Sequence, residues 1–413
     1  MKFDKYPFAP EIKKSVEEAG FVKPTDIQYK AIPAILRKED VLAIAQTGTG
    51  KTAAFALPIV QMLFSQLKYS EYIDLKCLVM VPTHELALQI AEVFRQFAKH
   101  TPLKVICIFG GVEQDPQIAN LKKGADILIA TPGRMFDLIS QGHLNLDRLE
   151  VLVLDEADHM LALGFIRDIR DVIKHIPRKH QTLFFSATIN LEIKDLAYSL
   201  VKNPLRIQVS PKDPVSKNID HSVAFIKMDD KRFFLERLIK EHPESKILVF
   251  VRTKVRAERV FLAMERVGIV TLTMHGDKEQ QERIDTMNRF RSGEVKVLVA
   301  TDISARGIDI PNVEYVFNYD LPDVAENYVH RVGRTGRGVN KGTAVSFCSP
   351  EEQPMLTEIQ EFLGKEIKVI NLSSEDYVEI KGESEEKNND WKSLMKEAEV
   401  WMNEKAKKKK KKK

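Results

Sequence analysis

The chain has 413 residues, of which 44% are hydrophobic, 30% charged and 8% aromatic. This balance is typical of a globular protein of two or three domains and excludes disorder throughout the chain. No run approaches the roughly 18 apolar residues of a transmembrane helix, and Met1–Tyr6 lacks the apolar core of a secretory signal. We therefore expect a cytoplasmic protein whose isolated cysteines, Cys77, Cys107 and Cys348, are reduced and buried.

The formal net charge of +4 is unevenly distributed. Lys405 and Lys407 to Lys413 supply eight positive charges within the last nine residues. Removing these eight from the 63 basic residues leaves 55 against 59 acidic residues, so the rest of the chain carries −4. A polyanion bound by this acidic body must be held by local groups rather than by a global field.

Short apolar runs alternate with amphipathic helical patterns such as Glu85–Ala98. Runs that are apolar almost throughout are typical of parallel strands buried on both faces. The predicted strands are Val41–Ala45, Cys77–Val81, Val105–Phe109, Ile127–Ala130, Val151–Leu154, Thr182–Phe185, Ile247–Val251, Val270–Thr273, Val295–Ala300, Tyr315–Phe317 and Ala344–Cys348. This alternation predicts an α/β protein with two open, mostly parallel sheets, each covered by helices on both faces.

The alternation pauses once, at a segment that contains Ser210-Pro211-Lys212-Asp213-Pro214 and is predicted to be an extended linker. It fades again after about Asn371. We therefore expect an N-terminal domain over residues 1–208, a linker over 209–218, a C-terminal domain over 219–372 and a tail over 373–413.

A phosphate-binding loop follows the first predicted strand. Gln46-Thr47-Gly48-Thr49-Gly50-Lys51-Thr52 lies between this strand and an apolar helical segment, which is the context that such a loop requires. Glycines allow backbone N–H groups to approach phosphates, and the helix N-terminus favours negative charge. We expect Lys51 to contact the β- and γ-phosphates of a nucleotide and Thr52 to ligate Mg²⁺. Ala45 stands where the generic motif has its first glycine.

Two acidic residues, Asp155 and Glu156, follow the predicted strand Val151–Leu154. Ligands of parallel α/β sheets bind at the carboxyl ends of the strands. Asp155 is therefore predicted to hold Mg²⁺, directly or through water, and Glu156 to activate the attacking water. Together with the loop, these acids predict a nucleoside triphosphatase.

Further motifs carry a resemblance to a known family. They are Asp155-Glu156-Ala157-Asp158, Ser186-Ala187-Thr188 and His330-Arg331-Val332-Gly333-Arg334-Thr335-Gly336-Arg337. In their order and spacing the chain resembles the DEAD-box ATP-dependent RNA helicases over roughly residues 1–370. The resemblance implies two tandem RecA-like domains, ATP and Mg²⁺ as cofactors, and RNA as partner. The short flanks and basic tail resemble the small bacterial helicases of the RhlE type.

The resemblance also implies roles at the nucleotide site. Gln28, within Gly20 to Gln28, matches the segment that binds adenine, and Phe21 is expected to stack on the base. Phe3 is either the family's upstream aromatic or a core residue, and Phe21 is alternatively a core residue too. Asp309 is expected near the ribose. Arg334 and Arg337 match the arginine fingers, although any one arginine of the motif is alternatively part of an exposed basic face. The residues expected to couple hydrolysis to domain closure and RNA are Asp158, Ser186, Thr188, His330 and Arg331; the first three are alternatively caps.

Segments that resemble the family's RNA contacts occur in both predicted domains. Glycines and helix N-termini suit backbone phosphates, which carry no sequence information. In the N-terminal domain these residues are Thr83, His84, Gly110, Gly111, Thr131, Gly133 and Arg134. In the C-terminal domain they are Arg252 with Thr253, Gly276, Gln280, Arg283, Thr301 and Arg306. His84 stands where the family usually has arginine; it faces RNA, caps its helix or pairs with Glu85. Each of the others is alternatively a cap, a turn or an exposed ion pair.

The tail offers two interpretations. Trp391, Leu394, Ala398 and Trp401 form an apolar helical stripe that either packs on the second domain or binds a protein or ribonucleoprotein partner. The lysine run is expected to add nonspecific RNA affinity.

The expected function is ATP-dependent unwinding of short RNA duplexes through contacts with the RNA backbone. The alternative is an ATP-gated RNA clamp with slow turnover that serves as an assembly platform. A third class, a DNA-translocating ATPase, is disfavoured by the Gln28 segment and the Asp155–Asp158 tetrad.

Overall fold

A computed structural model describes residues 2–46, 48–67, 74–189, 191–209, 215–302, 310, 312–336 and 341–384. These residues form two compact units, the first ending at 209 and the second starting at 215. Within the described ranges, no helix is long and apolar enough to cross a membrane.

The first unit is built on one seven-stranded sheet. Its strands are β1 (Val41–Ala45), β2 (Cys77–Met80), β3 (Val105–Ile108), β4 (Ile127–Ala130), β5 (Val151–Leu154), β6 (Gln181–Ser186) and β7 (Leu205–Val209). They lie in the order β3-β4-β2-β5-β6-β1-β7, and every pair is parallel.

Helices cover both faces of this sheet. They are α1 (Pro10–Glu18), α2 (Asp26–Leu36), α3 (Lys51–Leu67), α4 (His84–Ala98), α5 (Asp115–Leu121), α6 (Pro132–Ser140), α7 (Ala157–Ala162), α8 (Ile166–Val172) and α9 (Leu191–Leu200). Alternate residues of β1 pack into opposite cores: Val41 and Ala43 with the core of α1–α4, Leu42 and Ile44 with that of α6–α9. Burial on both faces explains why the strands read as continuous apolar runs.

The second unit repeats this plan with another seven-stranded parallel sheet. Its strands are β8 (Ile219–Phe225), β9 (Ile247–Val251), β10 (Thr271–Met274), β11 (Val297–Thr301), β12 (Tyr315–Asn318), β13 (Gly342–Cys348) and β14 (Lys368–Ile370). The order is β10-β11-β9-β12-β13-β8-β14. The described helices are α10 (Lys231–Glu241), α11 (Lys254–Arg266), α12 (Gln280–Ser292), α13 (Ala325–Val332), α14 (Gln353–Leu363) and α15 (Ser374–Glu383). The expected fold class is confirmed.

The sequence analysis missed three strands, β7, β8 and β14. Strands β7 and β14 are the edges of their sheets, so most of their residues are partly exposed and the continuous apolar signal is lost. Val209, assigned to the linker, ends β7. Because residues 210–214 lie outside the described residues, the proposed linker and domain bounds stay predictions.

Helix α15 was also missed, since it follows the point where the sequence pattern fades. It begins with a capping box at Ser373, whose hydroxyl accepts a hydrogen bond from the Asp376 N–H at 3.0 Å. Tyr377 anchors it to the start of α10, since its hydroxyl donates to Asp230 at 2.9 Å and accepts from the Lys227 N–H. Ordered structure therefore continues beyond Asn371.

The cysteines are free, as expected, although Cys107 is only half-buried where a buried thiol was predicted. Burial raises the pKa of Cys107 to about 12 and that of Cys348 to about 11. Both thiols are therefore protonated and unreactive at neutral pH.

Candidate nucleotide and nucleic-acid sites

The strand order of the first unit sorts its candidate residues into two neighbouring groups. At the carboxyl edge, β5, β6 and β1 lie side by side and lead into Asp155, the Ser186 segment and the phosphate loop. Next to them, β3, β4 and β2 lead into the three segments predicted to contact RNA. Residues far apart in the chain therefore meet along one edge of the sheet.

The phosphate loop has the backbone geometry of an anion-binding turn. Gly48 and Gly50 have φ values of 81° and 90°, which favour glycine. The Thr49 hydroxyl closes the turn by donating to the Gln46 carbonyl at 2.7 Å. Lys51 starts α3 and is 7% exposed, and its Nζ has no hydrogen-bond partner among the described residues. Thr52 follows in the same first turn, whereas Thr47 lies outside the described residues.

The N-terminal end of helix α2 makes hydrogen bonds to the backbone of this loop. The Gln28 amide donates from Nε2 to the Gly50 carbonyl at 3.1 Å, while its Oε1 accepts from the Thr25 N–H at 2.9 Å. The Thr25 hydroxyl donates to the Thr49 carbonyl at 2.8 Å. A Cβ on Gly50 would lie 2.5 Å from Gln28 Nε2, so only glycine permits this contact. Thr25 is a contributor that the sequence analysis did not single out.

The two aromatic candidates belong to the core. Phe3 is 3% exposed and packs edge-on against Phe21, with ring centroids 5.7 Å apart. Phe21 is partly buried and also contacts Phe97. Of the two interpretations of Phe3, the structure supports the core residue. Phe21 is only partly buried, and its contact with adenine stays a prediction.

The two acids after β5 are both buried. Burial, reinforced by the neighbouring carboxylates of Glu156 and Asp158, raises the pKa of Asp155 to about 6 against the opposing charge of Lys51. Glu156 has the left-handed conformation (φ 52°), which is uncommon outside glycine, and its N–H donates to Asp155 Oδ1 at 3.0 Å. The Glu156 carboxylate lies 3.4 Å from His159 Nδ1. Strain and burial of this kind are typical of functional sites.

Asp158 connects this strand to the next one in the sheet. Its Oδ2 accepts hydrogen bonds from both the backbone N–H and the hydroxyl of Thr188, each at 3.2 Å. The hydroxyl of Ser186 is fully buried, and in the described part of the chain it has no hydrogen-bond partner. Of the predicted pair, only Thr188 therefore contacts Asp158.

Two of the predicted RNA segments of this unit meet at His84. Thr83, not His84, caps α4, since its hydroxyl accepts from the Leu86 N–H. The His84 ring packs against Phe109, with centroids 5.4 Å apart, and its Nε2 lies 3.9 Å from where a Cβ on Gly110 would stand. Gly111 beside it has a φ of 78°.

The third segment, at the start of α6, joins the same loop. Arg134 Nη2 donates to the Val112 carbonyl at 2.8 Å. Pro132 is the first residue of α6 and Gly133 is exposed beside it. Thr131 occupies the cap position, but its side chain makes no capping hydrogen bond, so the alternative interpretation of Thr131 as a cap is wrong. Its backbone carbonyl accepts the first helical hydrogen bond, from the Met135 N–H.

In the second unit, Arg252 follows β9 and is held by acids from two other elements. Its backbone N–H donates to Asp320 at 3.2 Å, and its guanidinium lies 3.4 Å from Glu352. Lys231, fully buried, binds the same Glu352 carboxylate at 2.5 Å. Thr253 caps α11 by accepting from the Arg256 N–H. The sequence analysis missed Glu352 and Lys231, which belong to distant segments.

The remaining predicted RNA residues of this unit lie on neighbouring strands and the start of α12. Gly276 is exposed after β10, Thr301 ends β11, and Arg283 on α12 lies 3.4 Å from the Gln280 amide. His275, the residue before Gly276, is buried, and its Nε2 lies 2.6 Å from Oε1 of the buried Glu258. Hydrogen bonds from His275 and Thr273 and the nearby Lys278 outweigh burial and lower the pKa of Glu258.

The two described arginines of the arginine motif, Arg331 and Arg334, are both buried but have different hydrogen-bond partners. Arg331 is 1% exposed and makes a bidentate pair with Asp302 at 2.6 and 2.7 Å. Arg334 is also buried and donates to the carbonyl of His330 at 3.1 Å. Thr335 fixes this turn by donating to the Val313 carbonyl. Arg306, Asp309 and Arg337 lie outside the described residues, as do the stripe from Trp391 to Trp401 and the lysine run.

Comparison with known proteins gives the same assignment for both units. The DEAD/DEAH box helicase model matches residues 25–196, and the helicase conserved C-terminal domain model matches 230–339. The ATP-dependent RNA helicase RhlB of Shewanella oneidensis is 41% identical over 378 residues, covering 90% of this chain and 85% of that protein. The chain belongs to the DEAD-box helicase family.

Two further relatives extend the comparison of this helicase. The ATP-dependent RNA helicase DbpA of Bacillus subtilis is 39% identical, over 91% of this chain and 78% of its own. The solved structure of S. cerevisiae Dbp5 bound to RNA and ADP BeF3 matches with a TM-score of 0.81 and 31% identity, covering 92% of this chain and 98% of that one. The refinement to the RhlE type stays a prediction.

Proposed function

We propose that this helicase is an RNA-stimulated ATPase that separates short RNA duplexes locally. The observation that carries the proposal is the shared carboxyl edge of the first sheet. There the glycine loop, Lys51 and the two acids adjoin the loops of His84, Gly110 and Arg134. The relatives named ATP-dependent RNA helicases, and the Dbp5 structure with RNA, support the same activity.

The nucleotide is assigned to the phosphate loop. The N–H groups of Gln46 to Thr52 and the start of α3 would surround the phosphates, and Lys51 would pair with the β- and γ-phosphates. Lys51 suits this role because its buried ammonium group lacks a hydrogen-bond partner among the described residues. Gln28 and Phe21 would contact adenine, with Asp309 near the ribose.

Mg²⁺ fits the same edge. A magnesium ion in such sites takes one or two carboxylates together with phosphate oxygens and waters, and it neutralises phosphate charge. Asp155 and Thr52 would hold it. Burial and the neighbouring acids raise the pKa of Asp155, so a bound cation would stabilise its ionised carboxylate. Glu156 would accept the proton of the attacking water. The hydrogen bond from its backbone N–H to the Asp155 carboxylate fixes its backbone beside the proposed metal ligand.

RNA is assigned to the backbone-binding loops of both units. In the first unit Thr83, His84, Gly110, Gly111, Thr131, Gly133 and Arg134 would contact sugar and phosphate groups. In the second, Arg252, Gly276, Gln280, Arg283, Thr301 and Arg306 would do so. Contacts with the backbone alone give sequence-independent binding, and contacts with 2′-hydroxyls distinguish RNA from DNA.

Coupling between ATP and RNA is assigned to Asp158, Ser186, Thr188, His330 and Arg331. Arg334 and Arg337 would supply positive charge to the γ-phosphate from the second unit, a contribution worth about 10³-fold or more in related phosphoryl transfer. Arg331, held rigidly by Asp302, would fix the turn that carries both fingers. Binding of ATP and RNA together would favour the closed arrangement, and loss of phosphate would release it.

One set of assays tests this function. ATP hydrolysis is measured without nucleic acid, with RNA and with DNA, alongside strand displacement from a short RNA duplex. We expect stimulation by RNA but not DNA, and displacement that requires ATP. Glu156→Gln is the control, because it should keep ATP binding and lose hydrolysis. Equal stimulation by DNA would contradict the proposal, and RNA retention without displacement would favour the slow clamp.

The tail and the location are further proposals. Lys405–Lys413 would add phosphate contacts, so deleting them should weaken RNA binding and flatten its salt dependence. An unchanged salt slope would favour a protein partner at the stripe of Trp391 and Trp401. The free, protonated thiols fit the reducing cytoplasm.

A further inference from the structure

A cavity of about 310 Å³ lies at the amino-terminal edge of the first sheet. It is walled by the starts of β5 and β6 and by the ends of α2 and α3. Because the strands are parallel, this is the edge opposite the phosphate loop. Gln66 in the cavity wall lies fifteen positions after Lys51 in α3, which corresponds to about 22 Å along the helix. The cavity is therefore separate from the nucleotide site.

Gln181 forms part of the cavity wall with a side chain that is almost fully buried. Its Nε2 donates to the carbonyls of Ile35 and Glu39 at 3.2 and 2.7 Å, which fixes the orientation of the amide. The side chain is 6% exposed, and Oε1 has no hydrogen-bond partner in the described ranges. Oε1 is itself buried within the protein, so Gln181 shapes the wall and offers no acceptor to a ligand.

The charged groups of the lining favour an anion. Lys38 and Lys179 both line the cavity, and neither makes an ion pair with another described residue. The acidic residue of the lining, Glu150, is already bound by Lys76 at 3.3 Å and by the Gln66 amide at 3.0 Å. The remaining charge at the cavity is therefore positive.

An apolar surface completes the lining. Met62, Leu63 and Val151 contribute carbon atoms beside the polar groups. Apolar walls with a few fixed polar groups, in a volume near 300 Å³, are typical of small-molecule sites. We propose that this cavity binds a small organic anion whose apolar body packs against Met62, Leu63 and Val151 and whose negative charge pairs with Lys38 and Lys179. Nucleoside monophosphates and amino-substituted aromatic acids share this chemistry.

Methyl NMR of the full chain tests the proposal. The protein carries ¹³C-methyl methionine, the Met62 signal is assigned with Met62→Leu, and excess AMP-PNP with Mg²⁺ fills the nucleotide site. AMP, anthranilate and inorganic phosphate are titrated separately. We expect AMP or anthranilate to shift the Met62 signal saturably; whichever binds identifies the ligand source.

Charge variants then locate the anion. Lys38→Asn suits the left-handed conformation of that residue (φ 62°), and Lys179→Ala removes the second ammonium. Each variant should weaken binding of the probe about tenfold, which is the effect of losing one charge-assisted contact. Lys30→Ala, an exposed lysine of α2 outside the cavity, should change nothing. Absence of a saturable shift, equal affinity for phosphate alone, or insensitivity to both lysine variants would overturn the proposal.

Discussion

The side-chain amide of Gln28 binds the backbone of the phosphate loop, with Nε2 3.1 Å from the carbonyl oxygen of Gly50. The other end of the same amide caps its own helix at Thr25. Because both ends are engaged, the amide cannot rotate without breaking one of two bonds. The start of α2 therefore sets the position of the loop that is proposed to hold the phosphates.

Gln28→Glu tests this relationship. The carboxylate keeps an acceptor for the Thr25 N–H but loses the donor to Gly50, and it places an acceptor against a carbonyl oxygen. Removing one partner of a buried hydrogen bond costs about 1–3 kcal/mol, so KM for ATP should rise about tenfold or more. Steady-state ATPase kinetics measure this effect, and Thr25→Ser, which keeps the hydroxyl, is the control. An unchanged KM for ATP in Gln28→Glu would contradict it.

Asp155→Asn should stabilise the nucleotide-free protein while abolishing ATPase activity. Burial raises the pKa of Asp155 from 3.8 to about 6, so the folded state binds its proton more tightly than the unfolded state. Its contribution to stability is therefore fully present below pH 3.8 and is lost as the pH rises through about 6. At pH 7.5 the ionised carboxylate costs about 3 kcal/mol, which asparagine avoids.

Urea unfolding of the first unit at pH 7.5 and pH 4 measures the difference between wild type and Asp155→Asn. The gain in free energy of unfolding should be present at pH 7.5 and nearly absent at pH 4. An equal gain at both pH values would show that packing, not ionisation, is responsible.

His159 should position Glu156, since its Nδ1 lies 3.4 Å from the carboxylate and both side chains are buried. His159→Ala removes this contact, and a typical hydrogen bond of about 1 kcal/mol corresponds to about a fivefold fall in kcat. KM for ATP should change little. His159→Asn retains an N–H near the position of Nδ1 and should keep kcat, whereas His159→Gln places its amide near Nε2 and should not. If all three variants had the same kcat as the wild type, with kcat calculated per folded molecule, His159 would have only a structural role.

Thr188→Val and Ser186→Ala should differ in stability. Thr188 loses its hydroxyl bond to Asp158 but keeps the backbone bond, which should cost about 1 kcal/mol. Ser186→Ala removes a buried hydroxyl that has no partner in the described structure, so the free energy of unfolding should stay the same or rise. Chemical denaturation of both variants checks this order; a larger loss in Ser186→Ala would reverse the assignment.

His84→Arg should tighten ATP-dependent RNA binding by roughly 1 kcal/mol. Arginine supplies a permanent charge and five donors beside Gly110, where neutral histidine supplies one donor. RNA affinity with and without AMP-PNP measures the gain, and His84→Ala is the matched control. Equal affinities for all three proteins would mean that this residue supports Phe109 and does not contact RNA.

The sequence alone determined the class of fold and predicted the chemistry of the nucleotide site. Strands such as Val151–Leu154 are buried on both faces, so they appear as unbroken apolar runs, and the phosphate loop and Asp155-Glu156 follow them directly. These features depend on residues adjacent in the chain, where local geometry and residue type suffice. Edge strand β7 was not predicted, because its exposed residues are not a continuous apolar run.

Tertiary structure decided which distant residues meet. The order β3-β4-β2-β5-β6-β1 places the His84 loop beside the Asp155 site, and no local pattern encodes that order. Packing likewise buried Phe3, paired Arg331 with Asp302 and Lys231 with Glu352, and joined Asp158 to Thr188 but not to Ser186. Such choices depend on burial and on partners far away in the chain, since a buried polar group is stable only where the fold brings it a partner.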